Sequence, residues 1–154
     1  MKRDIGFILL LIILLFGLGA FFFLAPTAPE LAYVPVDVGG GSITVVDQDQ
    51  LAFVKLNAEL AAPGFITIHE SLSGAPANIL GTSTYLEAGT YTDLVIDLET
   101  PMTPGFVYIT LLHADNGDGA YVTEDDLPVK VNEQVVRPDF VAMPEVATNP
   151  DPTE

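Results

Sequence analysis

The chain contains no cysteine. That absence excludes a disulfide framework, a thiol nucleophile, a thiolate metal site and a lipid-bearing cysteine. Basic residues are also scarce: Lys and Arg number five, against 21 Asp and Glu. So few cations cannot build a basic patch, which excludes nucleic acid as a partner. What is present pulls in two directions. Hydrophobic residues make up 49% of the chain and the mean hydropathy is +0.43, yet the formal net charge is −16 and the sequence pI is about 4.1. A chain that acidic is usually polar, so the two properties must sit in different parts of its 154 residues.

The apolar excess collects near the start. Residues 5–25 read IGFILLLIILLFGLGAFFFLA, 21 residues with no charged or polar side chain. At about 1.5 Å per residue such a helix is about 30 Å long, the thickness of a bilayer's hydrocarbon core. A helix apolar on every side would otherwise need a large protein around it. Lys2 and Arg3 precede the run and Glu30 is the first acid after it, so the N-terminus is expected to be cytoplasmic and residues 26–154 extracytoplasmic. A cleaved signal peptide is the competing reading. The run is longer than a signal-peptide core of about 7–15 residues, and Pro26 and Pro29 interrupt the small residues that follow. A weak cleavage site could lie after Ala20.

The charge collects in the remainder. Residues 1–25 hold Lys2 and Arg3 against Asp4, a net of +1, and residues 26–154 hold Lys55, Lys130 and Arg137 against 20 acids, a net of −17. Solubility with self-repulsion, adaptation to high salt and binding of divalent cations each account for such a surface.

The outer region divides further. Residues 26–41 (PTAPELAYVPVDVGGG) are rich in Pro and Gly and read as a stalk. From Ser42 the pattern has period two. Ala52, Val54, Leu56, Ala58 and Leu60 line one face, while Lys55, Asn57 and Glu59 fall on the other, as in a half-buried strand. Further strands are expected over 65–70, 79–85 and 91–98, with a polar loop at 71–78. Residues 106–113 (FVYITLLH) are almost continuously apolar, which suits a central strand covered on both faces. A long acidic loop follows at 114–128. One or two strands fit 129–141, where Pro138 confines the last to an edge or bulge. Residues 144–154 form an acidic, Pro-rich tail with too little apolar surface to fold. About seven short strands with regular turns predict an all-β fold, an antiparallel immunoglobulin-like sandwich over residues 42–143, preceded by one N-terminal transmembrane helix. The Cys and Trp hallmarks of true immunoglobulin domains are missing, so the likeness is one of architecture.

Two constellations carry chemistry. The first is His113-Ala114-Asp115-Asn116-Gly117-Asp118-Gly119, followed by Glu124-Asp125-Asp126. Calcium takes six to eight hard oxygens around a loop that glycine allows to bend. Asp115, Asn116, Asp118, Glu124 and Asp125 are the candidate calcium ligands. The EF-hand spacing is incomplete, because Ala114 stands where the first ligand should be. The plainer reading is an Asn-Gly and Asp-Gly turn beside solvated acids. The second constellation is His69 and His113 with Met102 and Met143, a conceivable copper set. No Ser sits in a G-x-S-x-G elbow and no Gly-rich phosphate loop opens a helix, so enzymatic readings are thin.

Several segments together resemble a known family. They are Asp47-Gln48-Asp49, Pro63-Gly64-Phe65-Ile66-Thr67-Ile68-His69-Glu70, Gly81-Thr82-Ser83-Thr84-Tyr85-Leu86-Glu87-Ala88-Gly89-Thr90, Leu94-Val95-Ile96-Asp97-Leu98 and the 113–121 loop. This stretch resembles an uncharacterised β-sandwich domain of surface proteins from halophilic archaea and some bacteria. The family's histidine is followed by a D-x-N-G-x-G loop, and this chain is one residue shorter there. The resemblance implies a surface domain with no established activity. The combined expectation is a single-pass membrane protein whose outer domain has a structural, adhesive or interaction role, steadied by calcium at the 113–126 loop. Its partners would be the membrane, through residues 5–25, and a surface protein or glycan. The alternative is a small copper-type or redox-accessory domain using His69 and His113.

Overall fold

The computed structural model describes residues 34–144. The expected membrane span at 5–25, most of the stalk and all of the tail beyond Pro144 lie outside the described residues. Among the described residues there is no helix, and hence none long and apolar enough to cross a membrane.

Alternation of apolar and polar side chains along β2 (Phe53–Leu60) matches the pleat: Val54, Leu56, Ala58 and Leu60 are buried and the residues between them are not. β2 lies between β1 (Gly41–Val45) and β5 (Gly89–Asp97) in a three-stranded antiparallel sheet. The second sheet is also antiparallel and has the order β4-β3-β6-β9, with β3 at Gly64–Leu72, β4 at Ala75–Thr82, β6 at Val107–Ala114 and β9 at Asp139–Val141. A small hairpin of β7 (Lys130–Val131) and β8 (Gln134–Val135) stands apart from both sheets. Ile43, Val54, Leu56, Leu60 and Ile96 of the first sheet form one apolar cluster with Ile66, Ile68, Tyr108, Leu112 and Phe140 of the second. The all-β, antiparallel reading therefore holds, and the two sheets share a core in the manner of a sandwich.

β6 sits between β3 and β9, and six of its eight residues are buried. This is the central strand that the continuous apolar run predicts. β9 begins directly after Pro138, at the edge of its sheet. Two connections differ from expectation. Residues 71–78 do not form a loop: β3 and β4 run up to Ser73 and Gly74, whose φ values are 54° and 81°. Two successive left-handed residues make the tight turn whose twist matches paired strands. Asn132 and Glu133, with φ of 51° and 64°, turn the β7–β8 hairpin in the same way. The end of the expected stalk is also joined to the domain. Val36 donates to the Pro128 carbonyl (2.9 Å) and accepts from Lys130 N (2.9 Å), and Val38 packs on the core.

A polar clamp closes the C-terminal end. Gln48 is buried; its amide donates to the carbonyls of Val46 and Lys55 and accepts from Lys55 N. Its backbone N–H donates to the Val141 carbonyl, its carbonyl accepts from Met143, and Asp47 Oδ1 accepts from Val141 N. Gln48 and Ala142 thus run parallel, side by side.

Candidate functional site

The site lies on the face of β3 and β6 turned away from the shared core. In β3, Ile66 and Ile68 enter the core, which directs Phe65, Thr67 and His69 to the opposite face. Across the strand pair, Phe65 stands opposite His113, Thr67 opposite Leu111 and His69 opposite Ile109. All six are buried, although an outer sheet face usually meets water. Gly64 brings the two strands this close at the end of the site: a Cβ there would lie 2.0 Å from the His113 carbonyl oxygen.

Aromatic rings cover one end. Phe65 meets Tyr85 and Tyr121 edge to face, with centroids 5.8 and 5.6 Å apart, and Tyr121 meets His113 at 5.2 Å. Tyr121 belongs to the 115–126 loop, whose order comes from its own short acids. Asp115 accepts from the N–H groups of Gly117 and Gly119, Asn116 Oδ1 from Asp118 N, and Asp118 Oδ1 from Ala120 N, all at 2.8–3.0 Å. Asp126 is fully buried and ties the loop's two ends, accepting from Asn116 N (3.0 Å) and Val122 N (2.7 Å). Its backbone carbonyl faces His113 Nδ1 at 2.8 Å.

These contacts fix both imidazoles. A carbonyl only accepts, so each Nδ1 carries the proton: His113 donates to Asp126 and His69 donates to Ala77 (2.9 Å). His69 Nε2 then accepts the hydroxyl proton of Thr67 at 2.8 Å. His113 Nε2 is buried with no hydrogen-bond partner. Burial lowers the pKa of both rings; that of His113 falls to about 4, with further lowering from His69 and only partial compensation from Asp126. Both rings are therefore neutral near pH 7.

The predicted site residues are accordingly distributed. Asp115, Asn116 and Asp118 share one loop, but their oxygens face backbone N–H groups. Glu124 and Asp125 are exposed on the far side of that loop's sequence, and the fold buries Asp126 instead. Among the described residues no three His, Asp or Glu side chains converge as a metal site. His69 and His113 share a face four register positions apart, and the Thr67 hydroxyl that meets His69 Nε2 belongs to the residue between Phe65 and His69 on the same face. Met102 lies in the shared core and Met143 is exposed, so neither joins them.

A family described as "Domain of unknown function (DUF7282)" matches residues 41–142. The chain belongs to this family. The DUF7282 domain contains both sheets, the aromatic cover and the acidic loop. It is similar to "Cell surface glycoprotein 2" of Haloarcula hispanica, 38% identical over 105 residues, and to "Cell surface glycoprotein 1" of the same organism, 34% identical over 105 residues. Each alignment covers 67% of this chain but only 11% of the relative, so the chain spans about a tenth of the length of these curated relatives. No solved structure matches.

Proposed function

We propose that the DUF7282 domain is a structural and interaction module of the cell surface, held to the membrane by residues 5–25 with the N-terminus inside. The observation that carries this reading is the similarity to two cell surface glycoproteins across one small portion of their length. The order β1-β2-β5 facing β4-β3-β6-β9 supports an immunoglobulin-like sandwich whose fourth strand has joined the second sheet. Surface modules of this architecture act through their loops and edges. The acidic outer region, net −17, suits a surface bathed in concentrated salt, where carboxylates hold water and counter-ions. The role is non-catalytic, and its partner is another surface protein or a glycan.

Protease treatment of intact cells tests the location. A tag placed after residue 143 should be shaved off while a tag before Lys2 is protected. Protection of both tags, with the protein in the soluble fraction, would overturn the reading. Calcium at Asp115, Asn116, Asp118, Glu124 and Asp125 would share the oxygens of the first three with backbone N–H groups, each such oxygen having a second lone pair to offer. If no ion binds there, millimolar calcium leaves the melting temperature unchanged. A calcium-dependent rise abolished by Asp118→Ala would establish the ion site instead.

A further inference from the structure

Asn116 is followed by Gly117, the sole Asn-Gly step in the sequence, and both residues are exposed. The surrounding contacts resemble the parts of an acyl-transfer site. The Gly117 N–H donates to the Asp115 carboxylate at 3.0 Å, so a base already holds the proton of that nitrogen. The Asn116 side-chain carbonyl accepts the Asp118 N–H at 3.0 Å, so a donor already polarises that oxygen. This second bond draws the Asn116 side chain toward the C-terminal side of its own residue, the side on which Gly117 N lies. Gly117 has φ of 108° and nothing within 4 Å of where a Cβ would stand, so no side chain blocks the approach.

We propose that Asn116 is a self-modification site, at which the fold promotes conversion of the side-chain amide to aspartate and isoaspartate. Gly117 N attacks Asn116 Cγ, and its proton passes through Asp115 to the leaving nitrogen. The new N–Cγ bond closes a succinimide, the Cγ–Nδ2 bond breaks and ammonia departs. Water then opens the ring at either carbonyl. Opening at the main-chain carbonyl leaves isoaspartate, with an extra methylene in the backbone; opening at the other leaves aspartate. No oxidation or reduction occurs, and each conversion adds one negative charge. The neighbouring Asp118-Gly119 step lacks the same reactivity, because an ionised carboxylate is a poor electrophile. The other asparagines precede Ala58, Ile79, Glu133 and Pro150: three of these carry side chains that crowd the attack, and proline has no N–H to give up.

The test follows conversion in the full chain by peptide mapping at mildly alkaline pH, folded and in urea. The folded chain should convert Asn116 at least about tenfold faster than the unfolded one, well within the roughly hundredfold or more that a placed base or oxyanion donor contributes. Asp115→Asn should bring the folded rate down to the urea rate, while the urea rate itself stays unchanged. A melting curve on the variant verifies that it is folded. Slower conversion in the folded chain than in urea would overturn the proposal, since the loop would then be protecting Asn116. So would a folded Asp115→Asn variant that converts as fast as the parent.

Discussion

The two faces of the central β3–β6 pair are both buried, but by different means. The inner face presents Ile66, Ile68, Tyr108 and Leu112 to the aliphatic side of the other sheet. Dispersion and water exclusion hold it, and no direction is required of any contact. The outer face mixes Phe65, Ile109 and Leu111 with Thr67, His69 and His113, and a loop forms part of its cover. A loop carries backbone N–H and C=O groups that burial would leave unpaired. Here the loop's own carboxylates pair them, and Asp126 binds its ends together. The contrast teaches that a sheet face can be closed without a second sheet, provided that the covering segment supplies its own acceptors.

Substitutions should separate the two faces. The largest effect is expected from Ile66→Ala on the inner face, a loss of about 4 kcal/mol in urea unfolding, spread cooperatively over the whole domain. Asp126→Ala should cost about 2 kcal/mol by taking their shared charged acceptor from two half-buried N–H groups. Its signature should be local, with hydrogen exchange rising first over residues 115–122. Equal acceleration throughout both sheets would erase the distinction between the faces.

The next effect depends on pH. His113 is held neutral in the folded state with a pKa of about 4, below the ordinary imidazole value of 6.5. Between these values the unfolded chain binds more protons than the folded one, so stability falls as pH falls. Wild type minus His113→Gln should lose about 2 kcal/mol between pH 7.5 and pH 4.5. Subtracting the variant removes the contribution of the many carboxylates, whose protonation relieves self-repulsion and acts in the opposite sense. A flat difference curve would show that His113 is not closed off from water. The smallest effect is expected from Thr67→Val, about 1 kcal/mol, because His69 Nε2 loses its donor while the packing is kept. Its measurement is a urea midpoint with unchanged slope.

The sequence made the strands of this fold legible where burial imposes a period. Alternation marked β2, continuous apolarity marked β6, and Pro138 marked the start of an edge. It did not reveal the turn at Ser73-Gly74, because nothing in a serine announces a left-handed φ until paired strands demand it. Nor did it distinguish Asp126 from Glu124 and Asp125. Three consecutive acids look alike until the fold decides which carboxylate meets the N–H groups of Asn116 and Val122. Gln48 escaped notice for the same reason, since a lone amide becomes structural only when both of its ends find backbone partners. The acidic loop was located correctly, yet the direction of its oxygens is a property of the folded backbone rather than of composition.

The polar clamp at Gln48 bears on mechanics. The segment ending at Gln48 leads back through β1 to the N-terminal side of the domain, and the segment at Ala142 leads out to the C-terminal side. Because the two run parallel, tension applied at the two ends slides them past one another lengthwise. The bonds from Gln48 to Val141, from Met143 to Gln48 and from Val141 to Asp47 then bear the load together instead of parting one after another. A module arranged in this way resists stretching along its own chain far better than it would resist being peeled.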